Sequence, residues 1–219
     1  MKIEIKGVIV PDDDAWIYDL FDMDSTSPAA VQSAIDAANG DDLDVDINSG
    51  GGDVFSGSAI YAKLRSYTGN VRIHVTGLAA SAASVIAMAG HSDIAPTAQI
   101  MVHNVSTYAD GDYHDMQKAR DMLKQANRSI AAAYAAKSGM SEHDALDLMD
   151  AESWLTAQDA VDYGLIDEIA ENHNANTVSA DDEPVRFAAS ASGMLPHSVI
   201  AKMQARRQAL IDYFTSTED

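Results

Sequence analysis

The sequence predicts an α/β fold built on a largely parallel sheet, and three observations lead to that prediction. Apolar and polar residues alternate as in strands at 2–10, 43–47 and 71–75. Stretches with helical spacing of apolar residues separate these strands, and turn residues such as "TGN" bound them. Strands that alternate with helices are joined by crossovers, which keeps neighbouring strands parallel.

The elements follow one another in a regular order. After the first strand, Ser27 suits a helix N-cap, Pro28 its first turn and Gly40 its C-terminal stop. The second strand leads through "NSGGGD" into a helix that begins near Val54. After the third strand and Gly77, the Ala-rich run predicts a helix, followed by short strands at "SDIA" and "QIMVH". Helices are predicted at 112–137, 142–150 and 157–163, and "LIDEI" is predicted as a closing strand.

The chain divides into one domain and an appendage. Residues 1–170 carry the strand and helix pattern, which predicts a single domain. Residues 171–194 are small and polar without periodicity, so they are predicted to be a linker. Residues 195–219 regain helical periodicity and are predicted to form a helical tail.

Composition excludes several classes of function. With 14 basic and 34 acidic residues the net charge is −20, which disfavours nucleic acid as a partner. Absence of cysteine removes disulfide and thiolate chemistry and suits the cytoplasm. No apolar run is long enough to span a membrane, and the N-terminus lacks a signal-peptide cleavage site. The seven histidines show no metal-binding spacing, so no metal or cofactor is predicted.

The glycine-rich stretch "NSGGGD" has neither the Gly-x-Gly-x-x-Gly spacing nor the Gly-Lys-Ser/Thr ending that is typical of nucleotide-binding loops. Three glycines between a strand and a helix allow close approach of another backbone and leave N–H groups available at a helix N-terminus. Taken alone, the stretch is compatible with a tight turn, an oxyanion hole or a peptide-binding edge.

Ser81 lies where a strand passes into the Ala-rich helix. A serine there is usually an N-cap, and a nucleophile additionally requires a base and an orienting acid. His103 ends the apolar strand "QIMV", where a parallel sheet presents functional groups. Asp150 and Glu152 are candidate acids, whereas Ser84 lies one turn deeper in the predicted helix and is expected to pack there.

Four stretches resemble, in order and spacing, the motifs of the Clp protease proteolytic subunit family, ClpP. The family motifs are a strand entering Asn-Ser-Pro-Gly-Gly, then Gly-x-Ala-Ala-Ser, a Met-Ile-His strand, and Leu-Ser/Thr-Ala-x-Glu-Ala-x-x-Tyr-Gly-Leu-x-Asp. Here they read "INSGGGDVFSG", "GLAASAAS", "MVHN" and "WLTAQDAVDYGLIDEI". The resemblance spans about residues 1–170. The short acidic chain with its C-terminal tail is most similar to the ClpP-related head maturation proteases of phages and prophages.

This resemblance implies specific roles for residues. Ser81 matches the family nucleophile and His103 its general base. The backbone amides of Gly51 and Ala82 match the family's oxyanion hole. The position of the catalytic Asp is occupied by Glu152, with Asp150 as the reserve candidate. A second departure is Gly50, which stands where the family has Pro and leaves the loop freer.

The resemblance also implies the ClpP/crotonase-like fold of repeated ββα units, with a handle formed by residues 104–137. The expected enzyme is a serine endopeptidase that hydrolyses peptide bonds in extended substrates, which pair with a sheet edge or with strand-like residues near 104–112. It would work without a cofactor inside a homo-oligomeric ring, a heptamer or double ring. The expected partner is either a capsid or scaffold protein or an AAA+ unfoldase. The alternatives are an ATP-dependent Clp proteolytic subunit, a crotonase-type acyl-CoA enzyme and an inactive scaffold.

Overall fold

The computed structural model describes residues 1–170 and 194–215, and within them one predominantly parallel sheet carries the fold. The sheet order is β2-β1-β3-β4-β5-β8, with β6 paired to β4 and β7 antiparallel to β6. The strands are β1 Lys2–Ile9, β2 Ser25–Thr26, β3 Leu43–Gly52, β4 Val71–Ala80, β5 His91–Ile94, β6 Gln99–Val102, β7 Ser153–Thr156 and β8 Glu168–Ile169. This arrangement confirms the predicted α/β class with a largely parallel sheet.

Helices cover the sheet and enclose the main apolar core. Their bounds are α1 Ala15–Leu20, α2 Pro28–Ala38, α3 Val54–Ser66, α4 Ala82–Ala87, α5 Tyr113–Ser138, α6 Glu142–Asp150, α7 Ala157–Asp162 and α8 His197–Thr215. The side chain of Ser27 accepts from the backbone N–H of Ala30, which confirms the predicted N-cap of α2. The left-handed residue that follows α2 is Asn39, one position before the predicted Gly40. No helix in the described residues is long and apolar enough to cross a membrane.

The main difference from the sequence prediction lies between Gly77 and Gly90. The predicted helix after Gly77 is wrong in its first turn, because β4 continues to Ala80 and α4 spans only Ala82–Ala87. Residues Leu78 to Ala80 pair with β6, while the first half of β4 pairs with β5. Pairing with two successive strands therefore overrides the helical propensity of alanine.

Several short elements had no sequence prediction. A 3-10 turn at Asp12–Asp14 and α1 connect β1 to β2, and β7 forms along β6. The predicted closing strand "LIDEI" is reduced to Glu168–Ile169. Residues 104–112, which were expected to be strand-like, have no regular structure before α5 begins.

The C-terminal part of the described chain contacts the domain around α1. The backbone N–H of Leu195 donates to the phenol oxygen of Tyr18 at 3.2 Å, and Met194 and Leu195 pack on the small cluster Val8, Val10 and Tyr18. Within the predicted tail, residues 195–219, helix α8 spans His197–Thr215. The predicted linker lies outside the described residues except for Met194.

Candidate active site

Ser81 occupies an unusual backbone conformation between β4 and α4. Its φ of 54° and ψ of −123° fall in a region that non-glycine residues rarely adopt. Its N–H donates to the carbonyl of Met101 on β6 at 2.9 Å, and its side chain does not cap α4. Since the hydroxyl is not used as a cap, it is available for another role.

His103 reaches Ser81 because their strands are neighbours. Ala80 pairs with Met101 across the parallel β4–β6 ladder, so the residues that follow each strand emerge side by side. The Nε2 atom of His103 lies 2.8 Å from Oγ of Ser81. Burial lowers the pKa of His103 below its usual 6.5, and the negative charge of Glu152 partly opposes that shift. The imidazole is therefore neutral at pH 7 and can accept a proton.

The two candidate acids differ in their contacts. The charge of Glu152 acts on His103, and Glu152 itself has a left-handed φ of 51° directly after α6. The carboxylate of Asp150 instead accepts a hydrogen bond from the amide of Asn104 at 2.7 Å. Within the described residues neither carboxylate forms a hydrogen bond or ion pair with the ring of His103. The charge of Glu152 thus acts on His103, whereas Asp150 contacts Asn104 in the segment that follows His103.

Gly51 lies against Ser81, the kind of close backbone approach that the glycine-rich stretch allows. Its φ is 93°, and a Cβ there would lie 2.6 Å from the carbonyl oxygen of Ala80 and 2.8 Å from Cβ of Ser81. Only glycine fits this approach. Its N–H, however, donates to Oγ of Ser49 at 3.1 Å in this conformation. The N–H of Ala82 has no intrahelical partner, because Ala82 is the first residue of α4.

Ser84 is buried, as expected, but it also forms specific hydrogen bonds. Its Oγ donates to the carbonyl oxygen of Ser81 at 2.6 Å and lies 2.7 Å from the phenol oxygen of Tyr134. Tyr134 belongs to α5 and had no role in the sequence prediction. No local pattern could identify it, since the contact joins residues 50 positions apart.

Comparison with known proteins identifies the family of this chain. The family model described as Clp protease matches residues 29–173, which is more than half of the chain. The chain belongs to the Clp protease family. A curated relative named ATP-dependent Clp protease proteolytic subunit, from Bacteroides fragilis, is 32% identical over 133 residues, or 59% of this chain and 64% of the relative. A relative of the same name from Ligilactobacillus salivarius is 36% identical over 134 residues, or 60% of this chain and 68% of the relative.

The fold of this Clp protease family member is also found among solved structures. A ClpP1 mutant from Listeria monocytogenes superposes with a TM-score of 0.64 at 22% identity, covering 78% of this chain and 92% of that chain. The chain spans less than two thirds of the length of the Bacteroides relative. The relatives described here carry the name of the ATP-dependent subunit, which supports the alternative function and gives no support to the phage subtype.

The surroundings of the site in this family member hold the segment after His103 in place. Asn104 donates to Asp150, and Asn127 of α5 donates to Asn104 at 2.7 Å. The side-chain oxygen of Asn127 accepts from the N–H of Val105 at 2.8 Å. Among the described residues no group of three His, Asp or Glu side chains is arranged to hold a metal ion. The functional groups at this site are therefore the hydroxyl of Ser81, the imidazole of His103 and nearby backbone amides.

Proposed function

We propose that the chain is a serine endopeptidase in which Ser81 is the nucleophile and His103 the general base. The observation that carries this proposal is the 2.8 Å distance between His103 Nε2 and Ser81 Oγ, at a serine with a strained backbone. Strained residues persist where the surrounding structure holds them, and they concentrate at active sites. The names of the curated relatives support the same reaction class.

The reaction is acyl transfer through a covalent intermediate. Ser81 Oγ attacks the peptide carbonyl carbon while His103 Nε2 takes the hydroxyl proton. The imidazolium then gives that proton to the leaving amine, and an acyl-enzyme remains on Ser81. Water hydrolyses the ester with His103 again as base, which releases the second product and regenerates the hydroxyl.

The oxyanion of the tetrahedral intermediate requires backbone donors close to Ser81. Ala82 N–H is the better placed donor, because helix geometry leaves it without an intrahelical partner. Gly51 provides the close approach on the other side, and its N–H must exchange Ser49 for the oxyanion during the reaction. Each such donor typically contributes about 3 kcal/mol to transition-state stabilisation.

Glu152 is proposed as the acid that stabilises the imidazolium, with Asp150 as the reserve. Its charge favours the protonated ring that forms during attack. Asp150 is already paired with Asn104 and is better suited to hold the backbone that follows His103.

The same proposal includes assembly into a ring. The first four turns of the 26-residue helix α5 are largely exposed, and they carry the exposed side chains of Tyr113 and Met122. Tyr108, in the segment before the helix, is 92% exposed. Exposed aromatic and methionine side chains along one segment favour an interaction site, and copies of this chain are its proposed occupants. The cytoplasm remains the predicted location.

An ATP-dependent proteolytic subunit that works with an AAA+ unfoldase is the preferred form of this function. The relatives' names favour it over capsid maturation, which stays a prediction from the phage resemblance. A crotonase-type enzyme would not explain the contact of Ser81 with His103, and an acidic surface is unsuited to the phosphates of CoA.

The test combines covalent labelling with peptide hydrolysis. The intact protein is incubated with a fluorophosphonate and, separately, with a fluorogenic peptide panel and an acyl-CoA panel. We expect one label per chain on Ser81 and hydrolysis of peptides only. Absence of labelling would support the inactive scaffold, and turnover of acyl-CoA would support the crotonase alternative.

A further inference from the structure

The peptide that joins Ser81 to Ala82 is held on its carbonyl side by Ser84. The carbonyl oxygen of Ser81 accepts from Ser84 Oγ at 2.6 Å and from Ser84 N at 3.0 Å. This peptide is planar and trans, so its carbonyl and the N–H of Ala82 point in opposite directions. Any group that fixes the direction of the carbonyl therefore also fixes the direction of the Ala82 N–H.

Tyr134 determines where the hydroxyl of Ser84 points. Ser84 Oγ has one proton, and the carbonyl of Ser81 can only accept, so that proton lies on the bond to Ser81. The phenol of Tyr134, at 2.7 Å, must then donate to Ser84. Burial raises the pKa of Tyr134 far above its usual 10, so this donor stays protonated wherever the enzyme is folded.

Both side chains are enclosed by the core of the domain. Ser84 is fully buried and Tyr134 is 2% exposed. Tyr134 belongs to the buried end of α5, next to Ile130 and Ala131, and its carbonyl accepts from Ser138 Oγ at 2.7 Å. A continuous series of hydrogen bonds thus runs from α5 through Ser84 to the peptide beside the nucleophile.

We propose that Ser84 and Tyr134 are positioning residues that aim the N–H of Ala82 at the oxyanion. This inference rests on the proposed peptidase function and names two residues that touch neither substrate nor reacting atoms. Full burial and the bond to the Ser81 carbonyl distinguish this role from simple packing. A purely structural role would affect thermal stability alone, whereas a positioning role changes turnover in protein that remains folded.

The experiment compares Ser84→Ala, Tyr134→Phe and the double variant with the wild-type protein. Turnover is measured per labelled active site on a fluorogenic peptide, together with Tm and the pH dependence of kcat/KM. We expect kcat to fall about tenfold in each single variant with KM unchanged, a smaller loss than deleting an oxyanion donor outright. The pH midpoint should stay at its wild-type value, because the surroundings of His103 are unchanged.

The double variant provides a second criterion. Since Tyr134 acts through Ser84, the double variant should be no slower than Ser84→Ala. Tyr67→Phe is the matched control, because it also removes one phenol hydrogen bond, to the carbonyl of Asp41, at an exposed site. Its kcat should equal that of the wild type.

Three results would overturn the inference. One is an unchanged kcat in folded Ser84→Ala, which decides the matter even if Tyr134→Phe does not fold. Another is a loss confined to KM, and the third is an additive loss in the double variant. An active wild type with unaffected variants refutes this inference alone, whereas an inactive, unlabelled wild type refutes the proposed function and this inference with it.

Discussion

Replacement of Glu152 by Gln tests how the acid assists His103. The substitution keeps the size of the side chain and removes its charge. Where an acid orients the histidine by a direct hydrogen bond, loss of its charge lowers kcat by about 10⁴. Here the described structure has no such bond, and Glu152 is exposed, so the effect should be electrostatic and smaller.

The magnitude follows from Coulomb's law. Two unit charges about 4 Å apart interact by ~1 kcal/mol in bulk water and by ~4 kcal/mol at an effective dielectric of 20. Because Glu152 is exposed and lies beyond ion-pair contact, the lower end of that range applies. An interaction of ~1 kcal/mol corresponds to a fall in kcat/KM of about fivefold.

The pH profile gives the sign of the effect. Burial already places the pKa of His103 below its usual 6.5, and the charge of Glu152 raises that pKa. Removing the charge should therefore move the acidic limb of kcat/KM to still lower pH. Asp150→Asn is the matched control and should leave the midpoint in place. A midpoint that rises in Glu152→Gln, or moves only in Asp150→Asn, would refute the reasoning.

Other consequences are open to direct measurement. Ser81→Ala should abolish peptide hydrolysis and fluorophosphonate labelling without unfolding the protein, as intact mass and circular dichroism will show. Lys137→Met removes a buried cation that donates to Asp167 and the carbonyl of Gly90, and should lower stability by about 2 kcal/mol, read as a Tm loss of about 5 °C. Burial alone would raise the pKa of Asp167, but the hydrogen bonds from Lys137 and Ser92 lower it overall. The stability that the Asp167 carboxylate contributes is therefore present above about pH 4 and is lost as the pH falls through this lowered pKa. Deletion of residues 194–219 should keep peptidase activity and cost about 2 kcal/mol, because Leu195 then no longer covers Tyr18. Light scattering across a salt series should show tighter ring assembly as salt screens the net charge of −20.

Each of these outcomes has a clear opposite. Fluorophosphonate labelling of Ser81→Ala would assign the nucleophile to another residue. Lys118→Met, which breaks an exposed ion pair with Asp115, is the control for Lys137→Met. If both variants lose the same Tm, Lys137 does not stabilise the fold. A truncated protein that loses activity would give the tail a role in catalysis. A monomer at every salt concentration would contradict the ring.

The apposition of Ser81 and His103 could be predicted from sequence motifs, because adjacent parallel strands present their following residues together. The backbone conformation of the chain between Ser81 and His103, and of the strand that leads into Ser81, could not be predicted in this way. The extension of β4 to Ala80 depends on its pairing with β6, which an alanine-rich sequence does not indicate. The bond from Gly51 N–H to Ser49 and the contact of Tyr134 with Ser84 arise from three-dimensional packing, so local patterns contain no signal for them.

The left-handed backbone of Ser81 also bears on how selection has acted on this chain. A non-glycine residue in such a region costs about 1–3 kcal/mol of folding free energy. Mutation to glycine at that position would relieve the cost in a single step, and a protein kept only as a scaffold would gain stability by it. A serine that persists there is therefore expected where its hydroxyl is still in use. The free energy of unfolding should rise in Ser81→Gly but not in Ser81→Ala, and that difference would measure the stability that the chain loses by keeping a serine at this position.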